Sequence, residues 1–195
     1  MEKEQCAPKK VLILLGSPRK NGNSTFLAEK TAAGAKHVGA EVETIYLHGL
    51  KINPCSGCDA CLKENATGCI VQDDMQGIYP KIRTADSIVF ASPIYWFNYS
   101  AQLKTCIDRT YCMQGNNRFG LTDKNIGIIL TYADVDVFAS GGVNALRSLQ
   151  DMCTFVRAHI VGVVHGSAEK PGEIRRNSVL EQKAFELGEL LGKTQ

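Results

Sequence analysis

The stretch VLILLGSPRKNGNST, residues 11–25, runs from an apolar segment through a polar loop into a helical pattern. The apolar run at 11–15 is continuous rather than alternating, as in a strand covered on both faces. From 24 to 38, Leu27, Thr31, Ala35 and Val38 recur on one helical face. The same succession of strand and helix appears along the rest of the chain. Further strands are expected at 42–47, 87–92, 125–132 and 159–165. Helices are expected at 73–85 (Met75, Ile78, Ile82), 99–111 (Leu103, Cys106, Ile107, Thr110), 143–156 (Val143, Leu146, Leu149, Cys153, Val156) and 178–191 (Leu180, Ala184, Leu187, Leu191). Such alternation predicts an α/β fold. Its natural form is a flavodoxin-like doubly wound parallel sheet of five strands, order 2-1-3-4-5, with helices on both faces.

The loop GSPRKNGNST, residues 16–25, then falls where open α/β sheets bind ligands, at the carboxyl end of a strand and the start of a helix. A helix N-terminus offers free N–H groups and a positive dipole end. Gly16 and Gly22 permit a tight turn, the Ser, Thr and Asn side chains add donors, and Arg19 and Lys20 add charge. A phosphate monoester suits it. The loop matches neither G-x-G-x-x-G nor G-x-x-x-x-G-K-[ST], which argues against a dinucleotide site and a nucleoside triphosphatase. The plainer alternative is a polar turn with a Ser or Asn helix cap. After the third strand, SPIYWFNYS (92–100) gathers Tyr95, Trp96, Phe97 and Tyr99. Aromatic faces beside backbone amides suit a planar heterocycle; they equally suit a subunit interface. A phosphate loop and a planar-ring loop without a nucleotide motif point to FMN.

One connection breaks the rhythm. Residues 48–72 carry little periodicity, whereas loops in such folds commonly take about 2–6 residues. The chain reads as one domain, 1–195, with this cysteine-rich insertion. Cys55, Cys58, Cys61 and Cys69 sit there in the spacing C-x2-C-x2-C-x7-C. Its opening matches ferredoxin motifs, but the short last spacer and trailing proline are absent. A zinc site usually pairs two separated C-x2-C knuckles, and C-x-x-C can also be a redox dithiol; both remain open beside a [4Fe–4S] cluster. Cys106 and Cys153 fall on apolar helix faces and read as core residues. Cys6 lies in the N-terminal tail, and Cys112 has no sequence neighbour to pair with. The histidines, His37, His48, His159 and His165, form no ligand spacing. Asp73 reads as a helix N-cap.

Composition closes off other classes. Apolar residues are 44% of 195, enough for a core, and the net charge of +2 is scattered, so neither nucleic acid nor a membrane surface is an expected partner. No apolar run nears the roughly 20 residues of a membrane span, and nothing resembles a signal peptide. A cytoplasmic protein is expected, and in a reducing compartment clustered cysteines are more often metal-binding or catalytic than structural.

GSPRKNGNST, DDM (73–75), SPIYW (92–96) and SAQLKTCIDR (100–109) together resemble the NADPH-dependent FMN reductase superfamily. The cysteine insertion before DDM is similar to that of its iron–sulfur flavoproteins. The resemblance spans roughly residues 10–134. It implies that Ser17, Arg19, Asn23, Ser24 and Thr25 bind the FMN phosphate. Pro93, Ile94, Tyr95 and Trp96 would border the ring, and the loop 131–134, beginning at Thr131, would close the other side. It implies one [4Fe–4S] cluster on Cys55, Cys58, Cys61 and Cys69, and homodimers or homotetramers. The activity so implied is an oxidoreductase coupling a ferredoxin-like one-electron carrier to a two-electron partner, with no acid–base residue required. NAD(P)H is the alternative reductant. Two other functions stand beside it: a cluster-free NAD(P)H-dependent FMN or quinone reductase, and a flavin-binding redox sensor with a thiol or zinc site.

Overall fold

The computed structural model describes residues 7–115 and 118–193; Cys6 lies outside them. The strands are β1 (Lys10–Leu15), β2 (Glu41–Tyr46), β3 (Ser87–Tyr95), a two-residue β4 (Asn98–Tyr99), β5 (Asn125–Tyr132) and β6 (His159–Ser167). Five pair in parallel in the order β2-β1-β3-β5-β6, and β4 folds back antiparallel on the end of β3. This is the expected doubly wound order with one small addition.

Successive strand residues point to opposite faces. Leu12, Leu14, Ile88, Phe90, Ile126, Ile128 and Leu130 turn one way, toward α2 (Tyr79–Thr84), α3 (Ala101–Arg109) and α4 (Gly142–Val156). Val11, Ile13, Leu15, Val89, Ala91 and Ile129 turn the other way, toward α1 (Asn23–His37) and α5 (Ser178–Gly192). Coverage on both faces holds for β1, β3 and β5. The expectation fails for β2, half of whose residues are exposed, because it is an edge strand. The other edge, β6, is only half-buried through most of its length.

Three elements depart from the periodicity. The expected helix at 73–85 divides into a 3-10 turn, Asp74–Gly77, and α2, which has Pro80 in its first turn. Proline is favoured there, where its missing N–H is not needed. Asp73 caps the 3-10 turn by accepting from the Met75 N–H at 3.1 Å. The expected helix at 99–111 is trimmed to α3 because Ser100 takes the N-cap, accepting from the Leu103 N–H, and the end tightens into a 3-10 turn, Thr110–Met113. Val143 on α4, expected on the buried face, stands 36% exposed.

Candidate flavin cleft and four-cysteine site

Gly16 to Thr25 wraps the carboxyl end of β1. Ser17, 2% exposed, stiffens the loop: its Oγ donates to the Arg19 carbonyl at 3.2 Å and accepts the Arg19 N–H at 3.1 Å. Tyr46, at the end of β2, donates its hydroxyl to the Pro18 carbonyl. A Cβ on Gly22 would stand 2.9 Å from Ser17 Oγ and 3.0 Å from the Arg19 carbonyl oxygen, so the turn requires glycine. Gly22 is also the N-cap of α1 and caps it with no side chain. The first N–H groups of α1 therefore lack the partner that a capping side chain would give. Ser24, 1% exposed, has a buried hydroxyl with no hydrogen-bond partner. An uncapped helix start beside an orphaned buried hydroxyl fits a phosphate.

A cleft of about 250 Å³ opens there, lined by Ser17, Arg19, Gly22, Asn23 and Ser24, by Pro93, Ile94 and Tyr95, and by Thr131, Tyr132 and Ala133. It continues through Ile94, Tyr95, Tyr132 and Ala133 into a wider cleft of about 570 Å³, which adds Trp96, Phe97, Asp134, Ala139 and Ser140. A phosphate end joined to an aromatic end has the shape that FMN needs. Two expected phosphate ligands sit differently. Thr25 does not line the cleft; its hydroxyl donates back to the Arg19 carbonyl at 3.0 Å. Asn23 reaches the cleft, but its carboxamide is engaged elsewhere. Nδ2 donates to the carbonyls of Ala168 and Lys170, and Oδ1 accepts the Ile174 N–H. Asn23 therefore pins the segment after β6 against the loop, which brings Ala168 and Glu169 to the cleft wall. Nothing in the sequence near Ala168 signals this, although the carboxyl end of a strand is where it would be sought.

The aromatic loop is a hairpin. Ile94 pairs with Tyr99 and Tyr95 with Asn98, which leaves Trp96 and Phe97 as the two-residue turn. Both have positive φ, 44° and 64°. Such turns favour Asn-Gly, and bulky residues there are strained. Trp96 is 94% exposed. Phe97 lies against the backbone of Gly141, where an added Cβ would fall 2.4 Å from the Phe97 Cβ.

The four cysteines of the insertion line a second concavity, with Ser56, Gly57, Asp59, Ile70, Val71, Arg109, Tyr111 and Cys112. All four are free thiols. Gly57 and Gly68 turn the chain at φ 63° and 134°. The Ala60 N–H and the Ser56 side chain lower the Cys58 pKa, favouring thiolate, whereas burial raises that of Cys61. Four thiols on one concavity are a donor set that fits an iron–sulfur cluster. Among the described residues, no three His, Cys, Asp or Glu side chains converge as on a single ion. Cys112, isolated in sequence, is brought to the same concavity by the turn after α3. Cys106 and Cys153 are core thiols, pushed up by burial to about 12 and about 11. His165 Nδ1 lies 2.9 Å from the hydroxyl of Tyr132, a cleft residue.

Arg109 ties the insertion down. It is 1% exposed, and its guanidinium makes a two-pronged ion pair with Asp73, Nη1 to Oδ2 at 2.6 Å and Nη2 to Oδ1 at 3.2 Å. Nη1 also donates to the Asn53 carbonyl at 2.8 Å, and Nη2 to that of Val71 at 3.4 Å. Burial alone would raise the Asp73 pKa; hydrogen bonds from Arg109 and from the N–H groups of Asn53 and Met75 hold it below the usual carboxylate value.

The fold and the first cleft define a flavodoxin-like protein built to hold FMN. The profile of the NADPH-dependent FMN reductase family matches residues 9–171. An iron–sulfur flavoprotein of Archaeoglobus fulgidus is 33% identical, with 92% of this chain and 96% of that one covered. A second from the same organism is 36% identical over 126 residues, 65% of this chain; the match spans only 56% of that relative's length. The solved NAD(P)H:quinone oxidoreductase from Methanothermobacter marburgensis superposes with a TM-score of 0.74 at 19% identity, covering 97% of this chain and all of that one, and so shares the fold. The chain belongs to the NADPH-dependent FMN reductase family, among its iron–sulfur flavoproteins.

Proposed function

We propose that residues 1–195 form one FMN-binding domain whose insertion at 48–72 holds a [4Fe–4S] cluster, and that the protein is an oxidoreductase joining one-electron to two-electron chemistry. The observation that carries this reading is that Cys55, Cys58, Cys61 and Cys69 line one concavity, while a separate cleft keeps a buried hydroxyl without a partner at an uncapped helix start. When bound, FMN would take two electrons together and release them one at a time, and a cluster would pass them singly. The chain's own residues bind and orient. The Ser24 hydroxyl, the first N–H groups of α1 and the Arg19 guanidinium grip the phosphate. Asn23 and Thr25 hold the loop that presents them. Pro93, Ile94, Tyr95 and Trp96 form one wall for the ring, and Thr131, Tyr132 and Ala133 another. Cys55, Cys58, Cys61 and Cys69 ligate the cluster as thiolates.

The two sites share no lining residue. α3 is capped at its start by Ser100, whose hydroxyl donates to the Gly16 carbonyl in the phosphate loop, and ends at Arg109 in the cysteine site. Its length of roughly 13 Å separates them along the helix axis. Transfer between subunits of a homodimer or homotetramer follows as part of the proposal, with a ferredoxin-like carrier or NAD(P)H as donor.

The test is iron, acid-labile sulfide, zinc and FMN per chain after anaerobic purification. About four iron and four sulfide per FMN are expected. FMN without iron or sulfide would overturn the cluster and move the reading to a cluster-free NAD(P)H-dependent reductase; zinc would move it to a sensor.

A further inference from the structure

The four cysteines are all contributed by one irregular segment, and two of them, Cys55 and Cys58, are exposed. Irregular segments do not hold four ligands at fixed spacing by themselves, because nothing offsets the entropy of ordering them. Side chains from outside fix this one: Gln76 Nε2 donates to the Cys69 and Val71 carbonyls, the Asp74 carboxylate accepts the Lys51 N–H, and Arg109 spans both stems. Arg109, at the end of α3, reaches the Asn53 carbonyl on one stem, and the Val71 carbonyl and Asp73 carboxylate on the other. The same residue lines the cysteine concavity. The buried Tyr79 hydroxyl lies against the same guanidinium group. A cubane held by four thiolates is an anion whose sulfurs accept hydrogen bonds, and such bonds, like nearby charge, set its potential.

We propose that Arg109 is the positioning residue of the four-cysteine site: it clamps both stems of the insertion and sets a fixed positive charge against the cluster. This rests on the cluster reading above. Lysine cannot replace it, because an ammonium is a point charge without the planar fork that spans two stems and a carboxylate. Asp73 completes the device as the partner of the guanidinium, partly neutralising the charge that the cluster feels; it is not among the residues lining the concavity.

The experiment uses full-length protein purified anaerobically, as wild type, Arg109→Lys, Arg109→Met and Asp73→Asn. Iron and sulfide per FMN are measured, and the cluster's midpoint potential is titrated with spectroscopic readout. Arg109→Lys is expected to lose several-fold in iron and sulfide while FMN stays near wild type. Where cluster remains, Arg109→Met shifts the potential down. Asp73→Asn, which keeps a side chain able to cap and to accept from Arg109, shifts it up. A purely structural clamp would not give shifts of opposite sign. Should Arg109→Met fail to fold, Asp73→Asn still decides: a potential unchanged or lowered overturns the proposal. Full loading of Arg109→Lys overturns it as well. A wild type free of iron and sulfide overturns the cluster reading itself, and the proposal with it.

Discussion

Ser24 shows how one atom can report a missing partner. A buried hydroxyl without a hydrogen bond costs about 1–3 kcal/mol, and Ser24 Oγ is such a group. Ser24→Ala is therefore expected to raise the melting temperature of the flavin-free protein while weakening FMN binding by about 10- to 100-fold, the loss of one hydrogen bond to a charged group. Calorimetry and a flavin fluorescence titration would read the two effects. Opposite signs are required; a loss in both would show that Ser24 merely packs. At Arg109 the expectation is one-sided. Breaking a buried ion pair by removing one partner costs about 3–5 kcal/mol, so Asp73→Ala should destabilise on that scale in chemical denaturation. The acid behaviour follows from the depressed Asp73 pKa. Its contribution is complete above the ordinary carboxylate value of about 3.9 and is lost as pH falls through the lower folded value. Limited proteolysis within 53–71 should thus stay constant from neutrality down to about pH 4 and rise only below it. Both residues were visible in the sequence, Ser24 in the phosphate loop and Asp73 in DDM. The orphaned state of Ser24 and the partner of Asp73 were not, because contacts such as Arg109 to Asp73 join positions 36 residues apart.

At the scale of elements, the turn between β3 and β4 is the least legible feature. The sequence reading placed an aromatic loop after the third strand and the structure has one, but the run SPIYWFNY offers none of the Asn-Gly or Asp-Gly signals that mark a two-residue hairpin. Continuous strand signal from Ser87 ends where the sequence turns aromatic, so β3 was expected to stop at 92 rather than at Tyr95. Tertiary contact overrides local preference here: Phe97 is held against Gly141, and the Asn144 amide reaches the Phe97 carbonyl at 3.5 Å. Holding a non-glycine residue in the left-handed region costs roughly 1–2 kcal/mol. Strain of that kind collects at functional sites. Trp96→Asn puts a residue that tolerates this conformation at the first turn position. It should raise stability by about 1 kcal/mol, visible as a higher denaturation midpoint, and lower FMN affinity. A stability gain with unchanged flavin binding would leave the strain without a function. By contrast, the strand, glycine turn and helix of the β1 loop were legible, since all are local patterns, whereas the bonds that engage Asn23 and Thr25 elsewhere were not.

At the scale of the molecule, strand order and layers followed from the alternation of strand and helix, and what escaped was how the sites face one another. Trp96, Val135 and Phe138 are 94%, 84% and 73% exposed, and Trp96 borders the wider flavin cleft. Apolar groups this exposed beside a cleft mark an interaction surface. In the homodimer proposed above, a second copy would cover the open side of the cleft and offer its cysteine site as the electron source, the chain's own lying at the far end of α3. Phe138→Asp should then shift the sedimentation of micromolar protein toward monomer and weaken FMN retention together. The stronger test mixes two crippled chains. Cys58→Ala removes a thiol from the cysteine site, and Ser24→Glu sets a carboxylate against the incoming phosphate. Neither alone should pass electrons from a one-electron donor to a two-electron acceptor. If transfer crosses the subunit interface, unfolding and refolding the two together, followed by anaerobic reconstitution, should recover about a quarter of the wild-type rate for a random dimer, because half of the dimers are mixed and each mixed dimer keeps one intact crossing. If transfer runs within a chain along α3, no mixed dimer holds both sites on one chain, and the rate stays at the background of the two parents.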